Sequence, residues 1–136
     1  VKVLSLEVGA RRPLGVGVSG VALLARLSAE AAATVTHANG QRLAAYDLPV
    51  ARLMDRVRHA RARGYAWTDA GLVKGTRAIA VSVDGPDGEA VAAISVAAIA
   101  GRLSSARVPA VVAAVREQAA LITQRLAALS RVRPRR

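Results

Sequence analysis

The sequence predicts an α+β fold, a mainly antiparallel sheet flanked by helices, and three observations carry that expectation. Residues 76–83 and 89–98 are rich in valine, isoleucine and alanine, and Asp84-Gly85-Pro86-Asp87-Gly88 joins them as a hairpin turn by composition. Several other stretches space their apolar residues three and four apart, the mark of a helix with one buried face. At 136 residues, the chain can build one core and is too short for two ordinary domains.

Each element follows in order. Residues 2–8 alternate and are valine- and leucine-rich, which predicts a strand; residues 9–13 break it. Helical spacing begins near Val18 and runs through Leu23, Leu24 and Leu27. Ser28, followed by Glu30 and several alanines, predicts a cap and a second short helix. Asn39-Gly40 is expected to end that helix in a left-handed turn, leaving residues 40–48 irregular. Leu48-Pro49 opens the next helix, since proline is tolerated in a first turn. Its apolar face is Val50, Leu53, Met54 and Val57, and Gly64 stops it. Residues 65–69 form a short strand, 70–75 a loop, and 76–83 and 89–98 the hairpin. Ser104 or Ser105 is expected to cap a final helix reaching about Leu129. The stripe of that helix is Val108, Val111, Val112, Val115, Ala119, Ile122, Leu126 and Leu129. The lone first strand needs partners, and the chain opens at Val1 without an initiator methionine. It is therefore read as a segment of a longer protein, incomplete at the N-terminus, with residues 1–130 as the domain and 131–136 as a basic tail.

Composition narrows the function classes. Hydrophobic residues make up 53% of the chain, which is too many for a disordered segment. The longest uncharged apolar run, residues 90–101, is about half of the ~20 residues a membrane helix needs, so no membrane partner is expected. Cysteine is absent, excluding disulfides, thiolate metal sites and a cysteine nucleophile. A cytoplasmic location is expected. The formal net charge is +11, and apart from Lys2 and Lys74 the cations are arginines. Arg131, Arg133, Arg135 and Arg136 lie in the tail, and Arg56, Arg58, Arg61 and Arg63 lie along one helix. A solvated arginine-rich surface is the first expectation. DNA contact, or docking on the rest of the parent protein, is the alternative. One tryptophan and two tyrosines give no stacking platform for single strands.

Gly15-Val16-Gly17-Val18-Ser19-Gly20 fits the dinucleotide pattern G-x-G-x-x-G, but its context does not. Arg11-Arg12-Pro13 separates the strand from the first glycine, and no acid stands about 20 residues on to hold a ribose. Two readings remain open. The glycines let a helix start pack tightly, or they bring helix N–H groups and the Ser19 hydroxyl close to a small carboxylate. His37 and His59 have no partner at metal spacing, so no metal site is expected. Ser19, Ser95 and His59 lack an elbow motif and an orienting acid, so neither catalytic residues nor a cofactor are expected. On the strands, Ala78, Ala80 and Ser82 share one face, as do Ala93, Ser95 and Ala97. Ile79, Val81, Ile94 and Val96 occupy the other, and Trp67 faces away from Thr68. Small residues on one face leave room for a cavity or for a closely apposed second layer.

Four pieces in order resemble one family. Arg12-Pro13-Leu14 ahead of a small-residue helix start resembles the R-x-P-L-x-x-x-x-x-G segment of IclR-type bacterial transcriptional regulators. Arg58-x-x-Arg61-x-Arg63-Gly64-Tyr65-Ala66 is similar to the family's R-x-R-G-Y-A. Gly75-Thr76-Arg77-Ala78-Ile79-Ala80-Val81-Ser82-Val83 resembles G-x-R-C-I-A-x-P-V. Asp87-Gly88, Ala92-Ala93-Ile94-Ser95-Val96 and Arg102-Leu103 resemble the D-G, A-A-L-S-V and R-L that follow.

The resemblance implies a GAF-like effector-binding domain. It further implies a homodimer or homotetramer, with DNA bound through a winged helix-turn-helix domain absent from this chain. Its implied pocket positions are Val18, Ser19, Thr68, Ala78, Ser95 and Ala97. Ser95 matches the common serine. Thr68 stands where the family often has aspartate, with Asp69 beside it; Ala78 stands where it often has cysteine, and Ala97 where it has a second serine. Fewer polar anchors make an apolar pocket, which suits an aliphatic or aromatic acid as the small organic acid effector. The alternatives are a ligand-free oligomerisation module or a nucleotide-binding enzyme domain using Gly15 to Gly20.

Overall fold

Local signals place the helices where their chemistry demands. In the computed structural model, which describes residues 7–69 and 73–132, α1 (Val18–Leu24) follows the loop glycines and α2 (Ala29–Ala38) begins at Ser28. The Ser28 hydroxyl accepts the Ala31 N–H at 3.1 Å, satisfying one donor the helix start leaves open. α4 (Val50–Arg63) starts after Pro49 and ends on Gly64 at φ 79°, a left-handed cap that costs glycine nothing. β1 (Ala66–Thr68), β2 (Thr76–Asp84) and β3 (Ala90–Ile99) follow, then a 3-10 turn (Ser105–Arg107) and α5 (Val108–Val132).

Four expectations are corrected. Asn39 and Gly40 make no left-handed turn: Asn39 has φ −94°, and the chain re-enters a helix, α3 (Gly40–Ala44). The Asn39 side chain donates to the Val35 carbonyl at 3.0 Å, capping the end of α2 without a reversal of hand. The left-handed residue is Asp47, at φ 51°. Neither Ser104 nor Ser105 caps α5, because the 3-10 turn intervenes and its Ser104 cap makes no side-chain hydrogen bond. The α5 stripe is buried at Val108, Val112, Val115 and Ala119, but Ile122 is 39% and Leu129 65% exposed, because the helix outruns the sheet it covers. Lastly, Glu7 and Val8, at the end of the expected first strand, belong to no strand, and Val8 turns into Gly9; residues 2–6 lie outside the described residues, as do 70–72 of the loop and 133–136 of the tail.

The sheet has the order β1-β2-β3, antiparallel throughout. A register shift at Val83/Asp84 leaves Val91 as the extra residue opposite the turn. Alternation sorts the strand residues between two cores. Ala66 and Ala80 pack with Val21, Leu24, Leu53 and Val57 from α1 and α4. Ile79, Val81 and Val83 pack with Val108, Val112 and Val115 from α5, alongside Trp67 and Ile94. The result is helices, sheet, helix, in three layers. Two arginines tie the layers at their margins. Arg26, just past α1, donates to Asp84 Oδ1 at 3.0 Å and to the Gly88 carbonyl at 3.2 Å. Arg116 of α5 donates to the Gly64 carbonyl at 3.1 Å and lies over the Tyr65 ring.

Candidate functional site

Strand register gathers the expected pocket residues. Thr68 pairs with Ala78, and Ala78 pairs with Ala97, so these three form one transverse row across all three strands. The next row on the same face is Ala66, Ala80 and Ser95; the third is Ser82 and Ala93. Neighbouring strands stand ~4.8 Å apart and same-face residues ~6.8 Å apart along a strand, so the three rows make a shallow floor of small side chains. α1 packs over this face, against β2 and β3. Its first turn carries Val18 and Ser19, whose N–H groups belong to the set a helix start leaves without an internal partner. The Gly20 and Val21 N–H groups, by contrast, bond to the Gly17 carbonyl.

The floor is not uniformly open. Ala66 and Ala80 are fully buried, so the second layer closes tightly at that end. Toward β3 it loosens: Ser95 and Ala97 are exposed, while Ser19 and Thr68 are half-buried. The Ser19 and Ser95 hydroxyls make no hydrogen bond among the described residues. No side chain in the three rows is ionisable.

Asp69 is not brought to this face. Its carboxylate accepts from Arg77 Nε at 3.1 Å, and Arg77 lies over the Trp67 ring, 5.8 Å from its centre. Trp67 belongs to the core that α5 covers, so Asp69 is committed to the opposite side from Thr68. Ser82, in contrast, is a hydroxyl on the site's face that was not named among the pocket residues. The two-residue step from Ala78 through Ala80 was the signal for it.

The glycine loop has a packing role. A Cβ on Gly20 would stand 2.3 Å from the Gly15 backbone nitrogen and 3.1 Å from its Cα, so α1 lies with its backbone directly on the loop. Gly15, at φ 103°, in turn presses on Leu53, where a Cβ would come within 2.4 Å of a methyl. Gly15 and Gly20 are thus spent on contact within the protein, which is the tight-packing reading of the motif. Among the described residues, no three His, Asp or Glu side chains are grouped to hold a metal ion.

Residues 2–124 match the family model of the bacterial transcriptional regulator IclR C-terminal domain. The chain belongs to the IclR family. Solved structures agree on the fold. The Agobacterium tumefaciens repressor BlcR superposes with a TM-score of 0.76 at 19% identity over 90% of this chain and 51% of that one. A Rhodococcus sp. RHA1 protein described as a transcriptional regulator gives 0.78 at 26% identity, over 93% and 53%. The inducer-binding domain of an Acinetobacter PobR double mutant, in complex with 3-hydroxybenzoic acid, gives 0.70 at 19% identity, over 86% and 69%. This chain therefore spans about half the length of the first two. Among curated protein sequences, none matches it. Within the described residues, no helix is long and apolar enough to cross a membrane.

Proposed function

We propose that this IclR C-terminal domain senses a small organic acid with an aliphatic or aromatic body. The carboxylate sits at the start of α1, against the Val18 and Ser19 N–H groups and the Ser19 hydroxyl. Ser95 supplies a second hydroxyl, and Thr68, Ala78 and Ala97 form the floor under the apolar part. The observation that carries this reading is the transverse register, which sets Thr68, Ala78 and Ala97 in one row and Ser95 in the next beneath α1. An aromatic hydroxy acid held by the PobR domain supports the ligand class. In the parent protein the domain acts in the cytoplasm as a homodimer or homotetramer, joined to a winged helix-turn-helix that holds DNA. The ligand shifts that assembly only by preferring one arrangement of it over another.

A thermal-shift panel of keto acids, dicarboxylates, aromatic acids and NAD(H) tests the proposal. A site ligand at about 100 times its Kd adds ~2.7 kcal/mol, several degrees in Tm. A shift with one class of acid that disappears in Ser95→Ala, with the unliganded Tm unchanged, is expected. A shift that survives Ser95→Ala removes this placement. One second reading has an observation behind it: Leu121, Ile122, Leu129 and Val132 are exposed on the far half of α5, as a ligand-free oligomerisation module would require. That reading predicts no saturable acid and an association state that falls on Leu129→Glu.

A further inference from the structure

The arginines of α4 do not behave alike. Arg58 pairs with Asp55, and Arg61 donates through Nε and Nη2 to the carbonyls of Ala25 and Leu27 at 3.2 and 2.9 Å. Arg52, Arg56 and Arg63 make no hydrogen bond or ion pair among the described residues, and neither does His59. These four are spaced four, three and four apart, which puts them on one flank of the helix. Arg61 lies on the opposite flank, toward α1 and α2. Arg56 is only half exposed. Its guanidinium is held below the ordinary arginine range, first by burial and then by the like charge of Arg52. A cation kept partly out of water beside another cation, with no ion-pair partner of its own among the described residues, suits an external anion on a rigid element.

We propose that the Arg52–Arg56–Arg63 flank of α4 binds the phosphate backbone of duplex DNA, independently of base sequence. From Arg52 to Arg63 the helix rises ~16 Å, enough to lie along about five phosphates of one strand at ~3.4 Å each. Arginine forks suit phosphate oxygens, and such contacts position a protein on DNA without reading bases. No aromatic residue lies on α4, which leaves out single strands, whose binding rests on base stacking. A second copy of this chain is a poor partner. It has nine acids; Asp55, Asp69 and Asp84 already pair with its own arginines, and of the other six only Asp87 and Glu89 stand close in sequence. A domain of a transcriptional regulator works beside DNA, where a weak backbone contact adds to a separate specific one.

Fluorescence anisotropy of the 136-residue chain on a labelled mixed-sequence duplex, as a function of salt, tests this. The slope of log K against log salt should flatten by about 2.7 in Arg52→Gln/Arg56→Gln/Arg63→Gln, at ~0.9 per phosphate contact. The charge-matched triple Arg102→Gln/Arg125→Gln/Arg131→Gln should keep the parent slope. If Arg56→Gln unfolds the chain, the double Arg52→Gln/Arg63→Gln should flatten the slope by about 1.8. Equal flattening in the α4 and control triples would mean diffuse charge and overturn the proposal. So would an unchanged slope in the α4 variants, or tighter binding of a polyglutamate peptide than of the duplex, which would point to an acidic protein instead.

Discussion

Replacing Gly20 with alanine opposes two effects of different sign. Gly20 lies inside α1, where alanine is favoured over glycine by ~1 kcal/mol of helix propensity. The new methyl carbon, however, would stand 2.3 Å from the Gly15 nitrogen and 3.3 Å from the Leu14 carbonyl carbon. Ordinary contact begins near ~3.4 Å, so α1 and the loop must part by about 1 Å. Neither side yields easily. The obstructing atoms are backbone, Gly15 is fixed at φ 103°, and Val16 beside it is buried and bonded back to Pro13. Overpacking of this kind costs ~1–3 kcal/mol, and displacing a whole helix belongs at the upper end. The net expectation is about 2 kcal/mol of destabilisation, or a Tm lower by ~6–10 °C for a domain of this size. Differential scanning fluorimetry reads it directly. Gly40→Ala is the control, because its Cβ would meet only Val50 Cγ2 at 3.6 Å. A Tm for Gly20→Ala at or above the parent's would refute the backbone-contact role, since propensity alone would then be acting.

Other substitutions probe separate links. Thr36 is fully buried in α2 and its hydroxyl has no hydrogen-bond partner among the described residues, so Thr36→Val keeps the shape, removes ~1–3 kcal/mol of polar burial and should raise Tm by several degrees; a drop would reveal a partner for the hydroxyl. Ser28→Ala should lower stability by about 1 kcal/mol in urea melts with m unchanged, through loss of the α2 cap. Arg61→Ala should cost ~1–2 kcal/mol and Arg61→Lys restore only part of it, because an ammonium cannot fork to the Ala25 and Leu27 carbonyls; a loss no larger than that of the exposed Arg58→Ala would contradict this.

What could be read from the sequence was what short-range chemistry decides. The alternation of Ala78, Ala80 and Ser82 with Ile79, Val81 and Val83 depends only on the pleat, and the structure keeps that division between its two cores. Ser28 and Gly64 act within a few residues of themselves, so their roles as cap and stop were visible. Asn39 misled because its side chain can satisfy a helix end in more than one backbone conformation, and tertiary packing chose the continuing one. The 3-10 turn ahead of α5 leaves a pattern too short to separate from a capped helix start. The glycine motif and the arginines stayed open in the sequence for a common reason. Whether Gly20 meets a phosphate or Gly15, and whether Arg61 or Arg116 meets water or a distant carbonyl, depends on contacts 5 to 52 residues apart along the chain. Asp69 beside Thr68 looked available, and its Arg77 partner was likewise a matter of fold.

The segregation of small and branched residues along β2 and β3 makes recognition and endurance separate variables. A methyl added to Ala78 or Ala97 reshapes the floor beneath α1, while Ile79, Val81 and Val83 on the reverse of the same strand keep their contacts with α5. On the proposed reading, in which the floor holds an acid, a lineage carrying this domain can therefore drift from one acid to another in single-carbon steps, with the strain of each step confined to one layer and the load borne by the other.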